Sequence, residues 1–153
     1  MNVCPHCESK LLDASHCSEC RQYFVEGLIA NLTSSDPVVR KTAADNSVFV
    51  TPTKPLIEAL GNAITDTELD VRASAGITLF IAGSSIGCIV PQLIVALDDS
   101  DIRVCRLAAA CLSNIGVDAS PALPRLLQFA SDADGVLREW VDQAIANLSL
   151  IHI

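Results

Sequence analysis

Apolar residues in this chain recur in steps of four and three. Across residues 66–83, DTELDVRASAGITLFIAG, the positions Val71, Ala75, Leu79 and Ala82 fall on one face of an α-helix. Residues 99–116, DSDIRVCRLAAACLSNIG, align with them without a gap at an offset of 33 residues. Asp66 meets Asp99, Val71 meets Val104, Ala75 meets Ala108, Leu79 meets Leu112 and Gly83 meets Gly116. Another step of 33 brings Asp132, Leu137, Val141 and Ile145 into these slots, and a step of 32 backwards reaches Val39, Arg40 and Ala43. Asp or Ser-Asp before each copy suits a helix N-terminus. Gly83 and Gly116 stand where a left-handed residue ends one. Further apolar segments lie at 24–32, 55–64, 89–97 and 122–130, and Pro91 and Pro124, again 33 apart, suit a first helical turn. The pattern predicts helix–turn–helix units repeating about every 33 residues, a period typical of stacked-repeat architectures.

Composition narrows the core. Half of the 153 residues are apolar, but there are only one Trp, one Tyr and four Phe. The core is therefore aliphatic, which suits close-packed helices better than a β-sandwich. The formal charge of −8 repels phosphate backbones and disfavours general nucleic-acid binding. Met1-Asn2-Val3-Cys4 offers neither the basic region nor the apolar run of a signal peptide. Apolar stretches such as residues 86–96 contain Pro91 and Gln92 and are expected to fall short of a membrane span. Seven cysteines, four of them at metal-ligand spacing, point to a reducing compartment, so a cytoplasmic location is expected.

The repeated residues resemble the HEAT repeat family in its short bacterial form. That pattern runs Leu-x-x-Leu, an acidic turn, then Asp-x-x-Val-Arg-x-x-Ala-x-x-x-Leu and often Gly. It is carried here by Asp66, Val71, Arg72, Ala75, Leu79 and Gly83, and by Asp101, Val104, Ala108, Leu112 and Gly116. The resemblance covers roughly residues 24–149. Cys105 stands where Arg is usual, and Ser47 where the other units carry Leu or Ile. What the resemblance implies is an all-α fold, a right-handed α-solenoid of about four helix pairs over residues 23–153, with an Arg salt-bridge ladder broken at Cys105. Members of the class are mostly scaffolds or adaptors. A stack in which each pair contacts only its neighbours leaves a long continuous surface for partners.

Residues 1–22 form a separate module. Cys4-Pro5-His6-Cys7 and Cys17-Ser18-Glu19-Cys20 are two Cys-x-x-Cys turns separated by nine residues. Such turns bring paired thiolates onto one tetrahedral ion, and four ligands close the shell, so the expected cofactor is a single structural Zn2+ held by Cys4, Cys7, Cys17 and Cys20. The segment resembles a short bacterial zinc ribbon, although Glu8 and Arg21 stand where Gly usually follows each pair. A redox Cys-x-x-Cys would need a βαβ context, which is absent from the pattern. About 20 residues cannot bury a sufficient core, so metal binding would drive their folding. Tyr23 and Phe24 follow at once and are expected to pack the module on the first helix as its cap.

The register also yields candidate groove residues on the second helix of each unit. The rows are Thr42, Ser74, Leu107, Trp140; Lys41, Ala73, Arg106, Glu139; and Asp45, Ile77, Ala110, Gln143, with Asp70 and Arg103 at the edge. The selected partner-binding set is Lys41, Asp70, Ser74, Arg103, Arg106, Leu107, Glu139, Trp140 and Gln143. Trp140 either anchors a partner or merely covers the last unit. Cys88, Cys105 and Cys111 read as inert packing. His6, His16 and His152 lie at the chain ends, and no nucleophile–base pair is evident, so no enzyme is expected. Asp36, Asp66, Asp99, Asp101, Asp132 and Asp134 read as caps. The apolar end, residues 148–153, either folds over the last pair or associates with a second copy. The function expected is a non-enzymatic protein–protein scaffold, binding a protein partner and no membrane. Two alternatives stay open: a phycobilin-lyase-like enzyme of the same repeat class, for which one Tyr and one Trp make a poor pocket, and nucleic-acid binding through the ribbon, where Lys10 and Arg21 face Glu8, Asp13 and Glu19.

Overall fold

The computed structural model describes residues 21–132 and 135–149. They form eight α-helices and, among the described residues, no strand: α1 (Arg21–Leu32), α2 (Pro37–Asn46), α3 (Lys54–Ala63), α4 (Leu69–Ala82), α5 (Val90–Ala96), α6 (Ile102–Ile115), α7 (Leu123–Asp132) and α8 (Gly135–Ser149). The protein is all-α. Consecutive helices pack as pairs, α1 on α2, α3 on α4, α5 on α6 and α7 on α8. The second helices pack in order, α2 on α4, α4 on α6 and α6 on α8. Opposite them α1 packs on α3 and α3 on α5. Two 3₁₀ segments, Gly83–Ile89 and Gly116–Ala122, extend this second layer against α3 and α5. The sequence pattern predicts plain turns there; instead Ile86, Ile89, Ala119 and Ala122 are fully buried within them.

The repeat slots are the core. Val71, Ala75 and Leu79 of α4 and Val104, Ala108 and Leu112 of α6 have no exposed surface, and Val141 of α8 joins them. Each buried Leu or Val contributes about 2 kcal/mol of transfer free energy, and small residues set how near the helices come. A Cβ on Gly76 would lie 3.0 Å from Leu107 Cδ1, so the absence of a side chain at Gly76 makes room for Leu107 of α6. Equivalent slots also carry a polar rung between second helices. Thr78 Oγ1 donates to the Ala44 carbonyl at 2.9 Å, and Cys111, one unit later, points its thiol at the Gly76 carbonyl at 3.9 Å.

Gly83 and Gly116 end α4 and α6 with φ of 71° and 69° and ψ of −139° and −129°, a region open only to glycine. Residues 69–96 run 28 residues and hold an 18-residue window of mean hydropathy 2.0, enough by length and composition to cross a membrane, whereas the sequence pattern predicts apolar stretches that fall short. The break at Gly83 divides them, and the 14 residues of α4 reach about 21 Å, short of a hydrocarbon core of about 30 Å.

Acidic turns and arginines tie successive pairs together. Arg40 holds Asp66 through two bonds of 2.8 and 2.9 Å, and its Nη1 donates to the Ser34 and Ser35 carbonyls. One unit on, Arg72 Nε lies 2.7 Å from Asp99 Oδ2, off the N–H axis. Its Nη2 donates to Asp99 Oδ1 at 3.1 Å, and Nη1 donates to the Asp66 and Thr67 carbonyls. Cys105 occupies the third slot, where its thiol donates to the Asp99 carbonyl at 3.2 Å. Asp36 and Asp101 cap α2 and α6, accepting the Val38 and Arg103 N–H groups. Asp66 and Asp99 do not cap: the helix-starting residues are Glu68 and Asp101. They instead accept those residues' own N–H groups in the preceding turn and offer their carboxylates to arginine. The side chain of Asp132 and all of Asp134 lie outside the described residues.

Candidate interaction groove

The second-helix row has two different ends. On α2, Lys41 Nζ pairs with Asp45 Oδ2 at 2.6 Å and Thr42 bonds back to the Val38 carbonyl, so this end is polar and internally satisfied. Burial pushes the Asp45 carboxyl up, but hydrogen bonds from Lys41 and Ser74 and the Lys41 charge outweigh it and hold Asp45 below its ordinary value. Ser74 itself is buried, at 7 % exposure, and does not line an open groove.

At the other end, α4, α6 and α8 enclose a groove of about 270 Å³. Its wall is formed by Ile77 and Phe80 of α4, Arg103, Arg106, Leu107 and Ala110 of α6, and Trp140 of α8. Ile77 is half exposed, and Phe80 and Trp140 are each 38 % exposed. Aromatic surface left open to water beside a cavity is the usual substrate of a binding hot spot. The arrangement follows from the repeat: α6 presents residues one turn apart, 103, 106, 107 and 110, while its other face carries the buried Val104, Ala108 and Leu112.

Arg103 is held along α6 by Asp101, with Nε 3.0 Å from Oδ1 and Nη2 3.0 Å from Oδ2. This hydrogen bonding raises the Arg103 pKa and lowers that of Asp101. Arg106 has no ion pair among the described residues. Asp70 and Glu139 are exposed, and Gln143 Nε2 donates to Asn147 Oδ1 at 3.0 Å along α8. Of the nine residues chosen from sequence, the structure brings Arg103, Arg106, Leu107 and Trp140 together and leaves Lys41, Asp70, Ser74, Glu139 and Gln143 off the wall.

No family model matches the chain. No curated protein matches it. Among solved structures it is similar to the crystal structure of an engineered protein, with a TM-score of 0.68 and 23 % identity over 82 % of this chain. The chain spans 62 % of that protein's length. At this identity the likeness is one of fold.

Phe80 is the groove residue that the register rows pass over. It lies one turn beyond Ile77, and the next unit carries Ser113 in its slot, so no repeated apolar signal marks it. A smaller cleft of about 70 Å³ lies between α4, α3 and residues 47–52, lined in part by Val48, Pro52 and Ile81. Cys88 is exposed and Cys105 and Cys111 are buried. Burial pushes the Cys111 thiol up to about 12, and burial with the Asp99 charge raises Cys105. Neither is a thiolate at neutral pH. Among the described residues no group of three or more His, Cys, Asp or Glu side chains is gathered as metal ligands. Cys4, Cys7, Cys17 and Cys20 lie outside the described residues, as do residues 150–153 of the apolar end.

Proposed function

We propose that the chain is a non-enzymatic protein–protein interaction scaffold of the HEAT type. In this reading residues 23–153 are a right-handed α-solenoid of four helix pairs, and the α4–α6–α8 groove receives a protein partner. The observation that carries it is the half-open apolar wall of Ile77, Phe80 and Trp140 around a cavity of about 270 Å³. A groove of that size has room for one or two large side chains of a partner. The ordered packing of second helices supports a stacked-repeat architecture. Cys4, Cys7, Cys17 and Cys20 would hold one Zn2+ in a closed shell with a structural role, in a module spanning residues 1–22. Cysteines used as metal ligands and not as disulfides favour a reducing, cytoplasmic setting.

The test is affinity capture from a native extract with the wild type, with Phe80→Ser and Trp140→Ala, and with Glu58→Lys as a control on exposed α3. The scaffold reading expects partners that the control retains and both groove variants lose by about tenfold. Equal capture by all four proteins would remove the groove from the function. Metal analysis of purified protein checks the module: about one zinc per chain is expected, falling to background in Cys4→Ala/Cys7→Ala.

A further inference from the structure

We propose that the α4–α6–α8 groove is specific for an acidic amphipathic segment of a partner protein, one apolar side chain entering the cavity and a carboxylate engaging Arg106. This rests on the reading of the groove as the binding surface.

The charge pattern of the whole chain carries the inference. Acidic residues outnumber basic ones by 18 to 10. In such a chain each cation finds an anion readily, and all but one of those with described side chains do. Arg40 pairs with Asp66, Lys41 with Asp45, Lys54 with Glu58 and Arg72 with Asp99. Arg103 pairs with Asp101, Arg125 with Asp98 and Arg138 with Asp142. Arg106 is the one cation with a described side chain that has no anion among the described residues, and it stands on the groove wall. Among the described residues that wall holds two arginines and no carboxylate. A strongly acidic protein thus presents an apolar groove with one uncompensated arginine, Arg106, on its wall.

A guanidinium beside aromatic and aliphatic surface binds a carboxylate through paired N–H donors, in a setting where covering the groove strengthens the bond. The apolar wall of Ile77, Phe80, Leu107 and Trp140 supplies the anchor site for a large side chain. A segment joining such a side chain to Asp or Glu matches both parts. A basic segment meets the unpaired Arg106 as a like charge. A nucleic acid meets a molecule of charge −8.

Trp140 is the sole tryptophan and lines the groove, so its emission reports occupancy without a label. The experiment pans displayed random peptides of about a dozen residues on full-length protein, then titrates selected peptides while following Trp140 fluorescence. Expected peptides are enriched in Asp or Glu beside Leu, Phe or Trp, and they shift the emission. They bind Arg106→Glu about tenfold more weakly, and changing their acidic residue to Lys restores binding to that variant. Peptides that shift Trp140 yet show no acidic preference, or bind Arg106→Glu as well as wild type, overturn the charge inference and leave the groove as a binding surface. Failure of every selected peptide to move Trp140 overturns both.

Discussion

At the residue scale, one aspartate shows how the sequence and the fold divide the information. Asp66 sits in the repeated acidic slot, and the slot predicts a cap; the structure uses it as a turn-former and as the anion for Arg40. Position before a helix and pairing with a residue 26 positions earlier leave the same mark on the sequence, and only packing separates them. Cys105 is the converse: its departure from arginine is plain in sequence, and the structure places its thiol where Arg40 and Arg72 send one N–H. Burial works against the charged form of Asp66, but the Arg40 hydrogen bond, the Glu68 N–H and the Arg40 charge outweigh it and hold the carboxyl below its ordinary 3.8. A depressed folded value means the unfolded state binds the proton first as pH falls. The stabilisation is therefore complete above about pH 4 and is lost as pH falls below it, through the lower folded value. Asp66→Asn keeps an acceptor for Glu68 and removes the charge; it is expected to cost about 1.5 kcal/mol at neutral pH, less than a fully buried pair because water reaches this one. Urea midpoints of both proteins between pH 7 and about pH 3 check this, since the gap is expected to narrow in the acid limb. Parallel curves across that range would refute the assignment of the carboxylate to the fold's pH dependence.

At the element scale the helices are legible and their connections are not. The four-and-three spacing marks α4 and α6 because Val71, Ala75 and Leu79, and their partners 33 residues on, must all reach the same interior. The 3₁₀ segments Gly83–Ile89 and Gly116–Ala122 leave no such mark, since a seven-residue stretch at three residues per turn gives too few repeats to read. The glycines that begin them are legible for a backbone reason. Gly83 has φ 71° and ψ −139°, and nothing lies within 4 Å of the place where a Cβ would sit. The whole cost of Gly83→Ala is thus conformational, about 2 kcal/mol. Gly76→Ala has ordinary helical geometry and meets Leu107 instead, at 3.0 Å from Cδ1. It is expected to cost about 1 kcal/mol through overpacking, recovered in part when Leu107 is shortened to Val. Urea unfolding of Gly83→Ala and Gly76→Ala, each alone and combined with Leu107→Val, and of Leu107→Val itself separates the two mechanisms: Leu107→Val leaves the Gly83 cost untouched. A Gly83→Ala protein with the wild-type midpoint would contradict the strained-terminus account.

At the scale of the whole molecule, each helix pair packs on the pairs beside it. The groove was half legible in sequence because α6 repeats its register faithfully, while the polar α2 end and Phe80 depend on what each neighbouring helix happens to present. The first helix exposes the same dependence at the other end. Val25, Leu28 and Leu32 of α1 are buried against α2 and α3, but Phe24 at its start is half exposed. A terminal unit of a stack has one face with no neighbour, and an uncovered aromatic there is stabilised by whatever cap adjoins it. Cys20 is bonded directly to Arg21, the first residue of α1, so a metal-folded module at residues 1–22 would lie within reach of Phe24. If zinc folds that module onto α1, metal free energy is linked to the melting of the stack. Calorimetry of the full chain with zinc, and again after chelation, is expected to show a loss of about 3–6 °C, corresponding to about 1–2 kcal/mol for a chain of this size. Phe24→Ser should remove most of that dependence while leaving zinc content unchanged, because it cuts the contact and not the site. Identical melting with and without metal would show that the module does not stabilise the helices.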